Sequence, residues 1–158
     1  MRPVKFRYKA GSFAFTLVEI MIVVAILSLL LAIAIPGFMR ARASAMNSRY
    51  GNDVRVVSTA FIQYSFDSSN YPPDTTPAMM PAGMGEYLQK VSWFKKDALG
   101  GQWDWDYEQF GTKAGVSTYR PTASTTQLQR YDAMFDDGDL ETGNFHRRNN
   151  GYITVIEP

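Results

Sequence analysis

The sequence predicts an α+β protein: a long N-terminal helix, transmembrane in its first half and amphipathic in its second, packed on a small, mostly antiparallel β-sheet. Three observations carry this. Apolar residues run from Ile20 to Ile35 with only Ser28 among them. Val54, Val57, Phe61 and Tyr64 then recur at spacings of three and four, one apolar stripe of helical period. Past Pro72 the chain turns to glycine-punctuated stretches such as "GGQWDWDYEQF", in which large aromatics and acids alternate as they do on a strand.

The first element, residues 1–14, is a basic leader. Its first nine residues carry Arg2, Lys5, Arg7 and Lys9 and no acid, the layout of a targeting signal ahead of an apolar segment. Residues 15–38 form the second element. A helix from Phe15 to Phe38 is roughly 30 Å long or more, enough to cross a bilayer. It is apolar all round, and the remaining chain is too small to surround it as a core helix. Arg40, Arg42 and Arg49 follow, so both flanks are basic; the leader wins narrowly, placing it in the cytoplasm and the body outside. Pro36 lacks an N–H and crowds the carbonyl four residues back, and Gly37 follows, so a kink is expected there.

One charge stands in this segment: Glu19, near its front edge. A carboxylate at the membrane centre costs roughly 2.5–3.5 kcal/mol, and less toward an end. No Lys, Arg or His lies within the run to neutralise it. A cut just before Phe15 would create an α-amino group in the same bilayer plane, on the same chain or on a neighbouring copy. A competing signal is Ala32-Ile33-Ala34, an A-x-A pattern that ordinary signal peptidase reads. Cleavage there would release a soluble chain starting at Ile35, but Glu19, the length of the run and Pro36 just after the cut oppose it.

Residues 39–70 continue the helix amphipathically until Asn70-Tyr71-Pro72-Pro73-Asp74 ends it. Residues 71–158 form a small β-rich domain. Its proline-rich start reads as a loop, with a short helix or turn around Glu86–Phe94. Trp103, Trp105 and Tyr107 fall on one face of a strand and Asp104 and Asp106 on the other. "GTKAG" reads as the turn of a hairpin and "VSTYR" as its return. "STTQLQRYDAMF" places Leu128, Tyr131 and Phe135 at helical spacing behind Ser/Thr caps. "NNG" then precedes a last strand, "YITVIE".

Composition narrows the chemistry. The 158 residues include no cysteine, which excludes disulfides and thiolate catalysis, and a single histidine, His146, read as a solvated loop residue. The net charge of +1 gives no push toward nucleic acid. Arg40, Arg42, Arg49 and Arg55 do not keep to one helix face and lack an aromatic stacking platform; lipid phosphates and the acids of neighbouring protein copies suit them better. Asp104 and Asp106 form a carboxylate pair without a nucleophile or cleft, and the flanking tryptophans explain their alternation by packing. Asp137, Asp139 and Glu141 stand two apart, a spacing that oxygen-seeking Ca²⁺ uses. This is no EF-hand, since Thr142 stands where that loop needs glycine and Arg148 where it needs glutamate. An Asp-initiated turn accounts for the same residues.

Phe15-Thr16-Leu17-Val18-Glu19, with the basic leader, the apolar run and Pro36 in one register, resembles the N-terminus of type IV pilins and type II secretion pseudopilins. The resemblance implies a pilin-like fold and removal of the leader by a prepilin peptidase between Ala14 and Phe15, with N-methylation of Phe15. It also implies that Glu19 guides each subunit into a filament. Ala14 departs from the glycine usual in the family. A cut after Gly11 would begin the chain at Ser12 and take Glu19 out of register, so Ala14/Phe15 is preferred. The implied partners are copies of this chain, related minor pilins or pseudopilins, the peptidase, an inner-membrane assembly platform and lipid. The expected location is the inner membrane, spanned once, with assembly into a periplasmic or surface filament. Some pseudopilins hold calcium in a C-terminal loop, which keeps Ca²⁺ open as a cofactor although none is required. The short body, the lack of cysteines and "GGQWDWDY" favour pseudopilin over adhesive pilin. A structural role without catalysis is expected. The alternatives are an anchored or secreted binding module, carbohydrate-binding through Trp93, Trp103 and Trp105, and an anchored hydrolase using the aspartates.

Overall fold

The computed structural model describes residues 15–158; the leader and Ala14 lie outside the described residues. The chain divides into two units, one ending at Met39 and one running from Arg40 to Pro158. Helix α1 spans Leu17–Ser68 and contributes to both. Within the first unit its apolar side chains are exposed throughout. Ser28, the polar interruption, donates its hydroxyl to the Val24 carbonyl at 2.7 Å, so that it carries no unsatisfied donor. Pro36 and Gly37 lie inside the helix. Ser69 takes a positive φ of 61° just after its last turn, and Pro72 and Pro73 prevent its resumption.

The second unit is built on one four-stranded antiparallel sheet: β1 (Gln102–Gln109), β2 (Thr112–Tyr119), β3 (Phe145–Arg148) and β4 (Gly151–Glu157), in the order β1-β2-β4-β3. The first hairpin turns more tightly than the sequence led us to expect. Its loop is Phe110-Gly111 alone, with φ of 53° and 80°, and Gln109 pairs directly with Thr112. Two successive positive φ values suit the right-handed twist of the strands, so pairing reaches the tip and Thr112–Gly115 become strand. His146 sits in β3, where a loop was expected, because Asn149 and Asn150 alone make the turn into β4. Helix α2 (Thr125–Phe135) is capped by Ser124, whose hydroxyl accepts from the Gln127 N–H at 3.2 Å. The stretch around Glu86–Phe94 is a series of turns.

The core of this unit lies between the α1 stripe and the aromatic face of β1. Phe61 stacks on Trp105 with centroids 3.7 Å apart, and Tyr50 stacks on Trp103 at 5.5 Å. Each buried indole needs an acceptor for its N–H. Trp105 finds the Pro72 carbonyl at 3.0 Å and Trp93 the Met79 carbonyl at 2.9 Å, which ties the proline-rich loop to the core. On the other side, Asn47 of α1 and Gln127 of α2 bond reciprocally at 3.0 and 3.1 Å. Phe135 covers Gly51 so closely that a Cβ there would lie 2.4 Å from its ring.

Candidate functional site

Four groups of residues bear on function. The first is the start of α1. Thr16 precedes the helix, and its hydroxyl accepts the Glu19 N–H at 3.2 Å. Thr16-x-x-Glu19 is the sequence of a capping box, and the positive end of the helix dipole favours a carboxylate in the first turn. Phe15 and Glu19 are both exposed within the first unit and available to another molecule.

The second group is Asp104 and Asp106, which β1 directs away from the tryptophans. Both are buried, because Arg148 extends from β3 over the outer face of the sheet. Its guanidinium donates to Asp104, lies 3.5 Å from Asp106, and bonds the Ser117 hydroxyl at 2.8 Å; Ser117 in turn donates to Asp106. Phe110 covers the guanidinium with its ring centroid at 4.9 Å. One cation thus serves two carboxylates. Burial, and then the neighbouring Asp106 charge, push Asp104 up to about 7 against the pull of Arg148. Asp106 is raised too, by burial. The sequence placed His146 in a loop and gave Arg148 no partner; the signal was strand alternation over Phe145-His146-Arg147-Arg148, which puts Arg148 and His146 on one strand face.

The third group is the acidic loop. Of the three residues with cation spacing, Asp137 accepts from the Asp139 N–H and the Thr142 hydroxyl, which hold it below the usual carboxylate range. Asp139 accepts from the Glu141 N–H at 3.1 Å, and Glu141 pairs with Arg147 at 3.0 Å. The carboxylates that converge are instead Asp132, Asp136 and Asp137, with an oxygen of each within 4.8 Å of the others. Asp132 is 0% exposed, and neither of its oxygens has a hydrogen-bond partner of normal geometry. Burial first, then the charges of Asp137, Asp136 and Asp139, push it up to about 6. The loop wraps these acids tightly: a Cβ on Gly143 would lie 2.1 Å from Asp136 Oδ2. Three acidic oxygens, one of them buried without a partner, fit a hard divalent cation. Sequence spacing missed Asp132 because it stands on α2 and not in the acidic loop. The available signal was an acid four residues after Leu128, on the buried stripe of that helix.

The last group is the tryptophans. Trp93, Trp103 and Trp105 are all buried and present no indole face on which a sugar could stack. Of the arginines considered for nucleic acid, Arg49 pairs with Asp53 of the next turn at 3.7 Å.

In comparisons with known proteins, the family model described as the prokaryotic N-terminal methylation motif matches residues 10–35. That motif is the signature of type IV pilins and pseudopilins. It spans Ala14, Phe15 and Glu19 and ends at Ile35. No curated protein and no solved structure matches the chain.

Proposed function

We propose that this chain, which carries the pilin-type N-terminal methylation motif, is a structural subunit of a type II secretion pseudopilus or a type IV pilus-like filament, with no catalytic role. The observation that carries the reading is the matched motif at the head of an exposed apolar helix with one carboxylate, Glu19, in its first turn. A cut at Ala14/Phe15 would free an amine one residue ahead of the Thr16 cap. In the filament, Glu19 of one copy would meet the Phe15 amine of the next. Each group is costly in lipid alone, and pairing offsets part of that cost while fixing the axial register. The apolar helices would form the filament core, and prepilin peptidase and an inner-membrane assembly platform would process and assemble the chain. The carbohydrate-binding alternative loses its support with the burial of the tryptophans.

The test is the N-terminus and intact mass of the chain from native membranes, together with Glu19→Ala. Methylated Phe15 at the N-terminus is expected. Glu19→Ala should be processed and inserted normally yet fail to enter filaments. A chain starting at Ile35, or a normal filament yield from Glu19→Ala, would end this account.

A cofactor reading accompanies it, favoured by Asp132. A divalent cation of calcium type would be held by Asp132, Asp136 and Asp137. It would neutralise a buried charge and fasten α2 to the loop leading into β3.

A further inference from the structure

The second unit segregates its exposed charge. Between residues 132 and 141 stand five acids and no base, and between 89 and 96 three lysines and no acid. The lysines line a hollow of about 190 Å³ in which Arg49 joins Lys90, Lys95 and Lys96. The two acids there are already engaged. Asp53 pairs with Arg49, and Asp97 is buried, accepting from the Leu99 and Gly101 N–H groups and the Thr118 hydroxyl. Among the described residues, none of the three ammonium groups has an acid within ion-pair distance. Beside them Phe94 stands 72% exposed. The acidic corner has the matching make-up: Asp137, Asp139 and Glu141 are exposed, next to Met134 and a Phe135 that is 45% exposed.

We propose that the Lys90–Lys96 corner of one copy receives the α2–β3 acidic corner, residues 134–141, of a second copy. The inference rests on the filament reading and names a surface contact that would accompany it. Charge complementarity selects the occupant. A carboxylate-rich loop suits a basic hollow, and exposed aromatics on both sides supply the apolar centre that such contacts need. A chain of net charge +1 with opposed patches has little overall repulsion to keep copies apart. The two corners cannot meet within one copy. Phe135 rests on Gly51 of α1, whereas Arg49 and Asp53 of the same helix line the hollow, and residues two apart on a helix point about 200° away from each other. The contact is therefore head-to-tail, and repetition extends it into an open array. Asp139 lies outside the converging set of Asp132, Asp136 and Asp137, so a bound cation leaves it free to make the contact, with Glu141, paired to Arg147 of its own copy, beside it.

The absence of native cysteine makes cross-linking clean. Full-length chain carrying Lys95→Cys and Asp139→Cys would be expressed in the native host and its sheared filaments oxidised. A ladder of dimers, trimers and longer species is expected, with dimers at most from either single variant. Lys95→Glu with Lys96→Glu should lower the assembled fraction about tenfold, since like charges facing across an interface are strongly disfavoured. Adding Asp139→Lys with Glu141→Lys should restore it. Filaments that form without a ladder, or that tolerate the reversal, overturn the contact alone. Absence of filaments from the unaltered chain overturns the filament reading and the contact with it. Loss of assembly that the second reversal leaves unrepaired, with loss of binding to phosphatidylglycerol vesicles, assigns the hollow to lipid headgroups and overturns the contact.

Discussion

Asp104→Asn tests the electrostatics of the outer sheet face. In the folded chain Asp104 titrates near 7, against 3.8 for an ordinary aspartate, because burial and Asp106 outweigh Arg148. The folded state therefore holds a proton that the unfolded state releases. With the folded value raised, stability falls as pH rises from about 4 to 7 and levels off above. The slope approaches about 1.4 kcal/mol per pH unit for one such proton. Asp132, raised to about 6, adds to the fall only below that pH, so Asp104 dominates the leg from 6 to 7. For a unit of this size the leg corresponds to a drop of about 5 °C in Tm. Asparagine keeps an acceptor for Arg148 and leaves Asp106 as its single counter-charge. The variant should flatten that leg, so that its stability relative to wild type is about 2.5 kcal/mol better at pH 8 than at pH 5. Tryptophan fluorescence of the full chain in detergent suits the measurement, because Trp93, Trp103 and Trp105 all lie in the second unit. A wild-type Tm that holds level or rises between pH 6 and 7.5 would refute the reasoning, as would a variant whose curve runs parallel to the wild type.

Millimolar Ca²⁺ should raise the Tm of the second unit, by about 2.7 kcal/mol of stability at a hundredfold excess over Kd, with reversal by chelator. Asp132→Asn should abolish that response; a Tm indifferent to divalent ions would remove the cation from the account. Gly151→Ala should cost about 3 kcal/mol, because a Cβ there would lie 2.3 Å from the Thr118 carbonyl oxygen in the middle of the sheet. Unchanged melting of that variant would contradict the close approach of β2 and β4. Filament yield from Glu19→Ala, set against its processing, remains the functional test of the assembly helix.

What could be read from the sequence was whatever repeats locally. The α1 stripe, the capped α2 and the Trp103-Trp105 face each follow from a period of 3.6 or 2 and are found where those periods place them. The pentad from Phe15 to Glu19 was legible for another reason: it is a motif of contiguous residues, recognisable without the fold. The features that escaped need partners distant in sequence. Arg148 meets Asp104 across 44 positions, and Asp132 gains its surroundings only when the loop folds back over α2. The β3 strand was hidden because a run of His and two Arg looks solvated until Gly151 and Ser117 provide somewhere for Arg148 to lie.

The strand order carries a consequence for how the protein is made. β4 lies between β2 and β3, yet it follows both in the chain, and it is the last to be synthesised. Tyr50 and Phe61 of α1, by contrast, emerge 53 and 44 positions before the tryptophans they stack on. The helix is thus a template that waits for its sheet, and the sheet stays in two pieces until β4 arrives to join them. A chain halted before Gly151 would present unpaired edges on β2 and β3, the kind of surface that proteases and chaperones recognise. Completion of the body is in this sense a proofreading step: the sheet becomes continuous only when β4 has taken its place between β2 and β3.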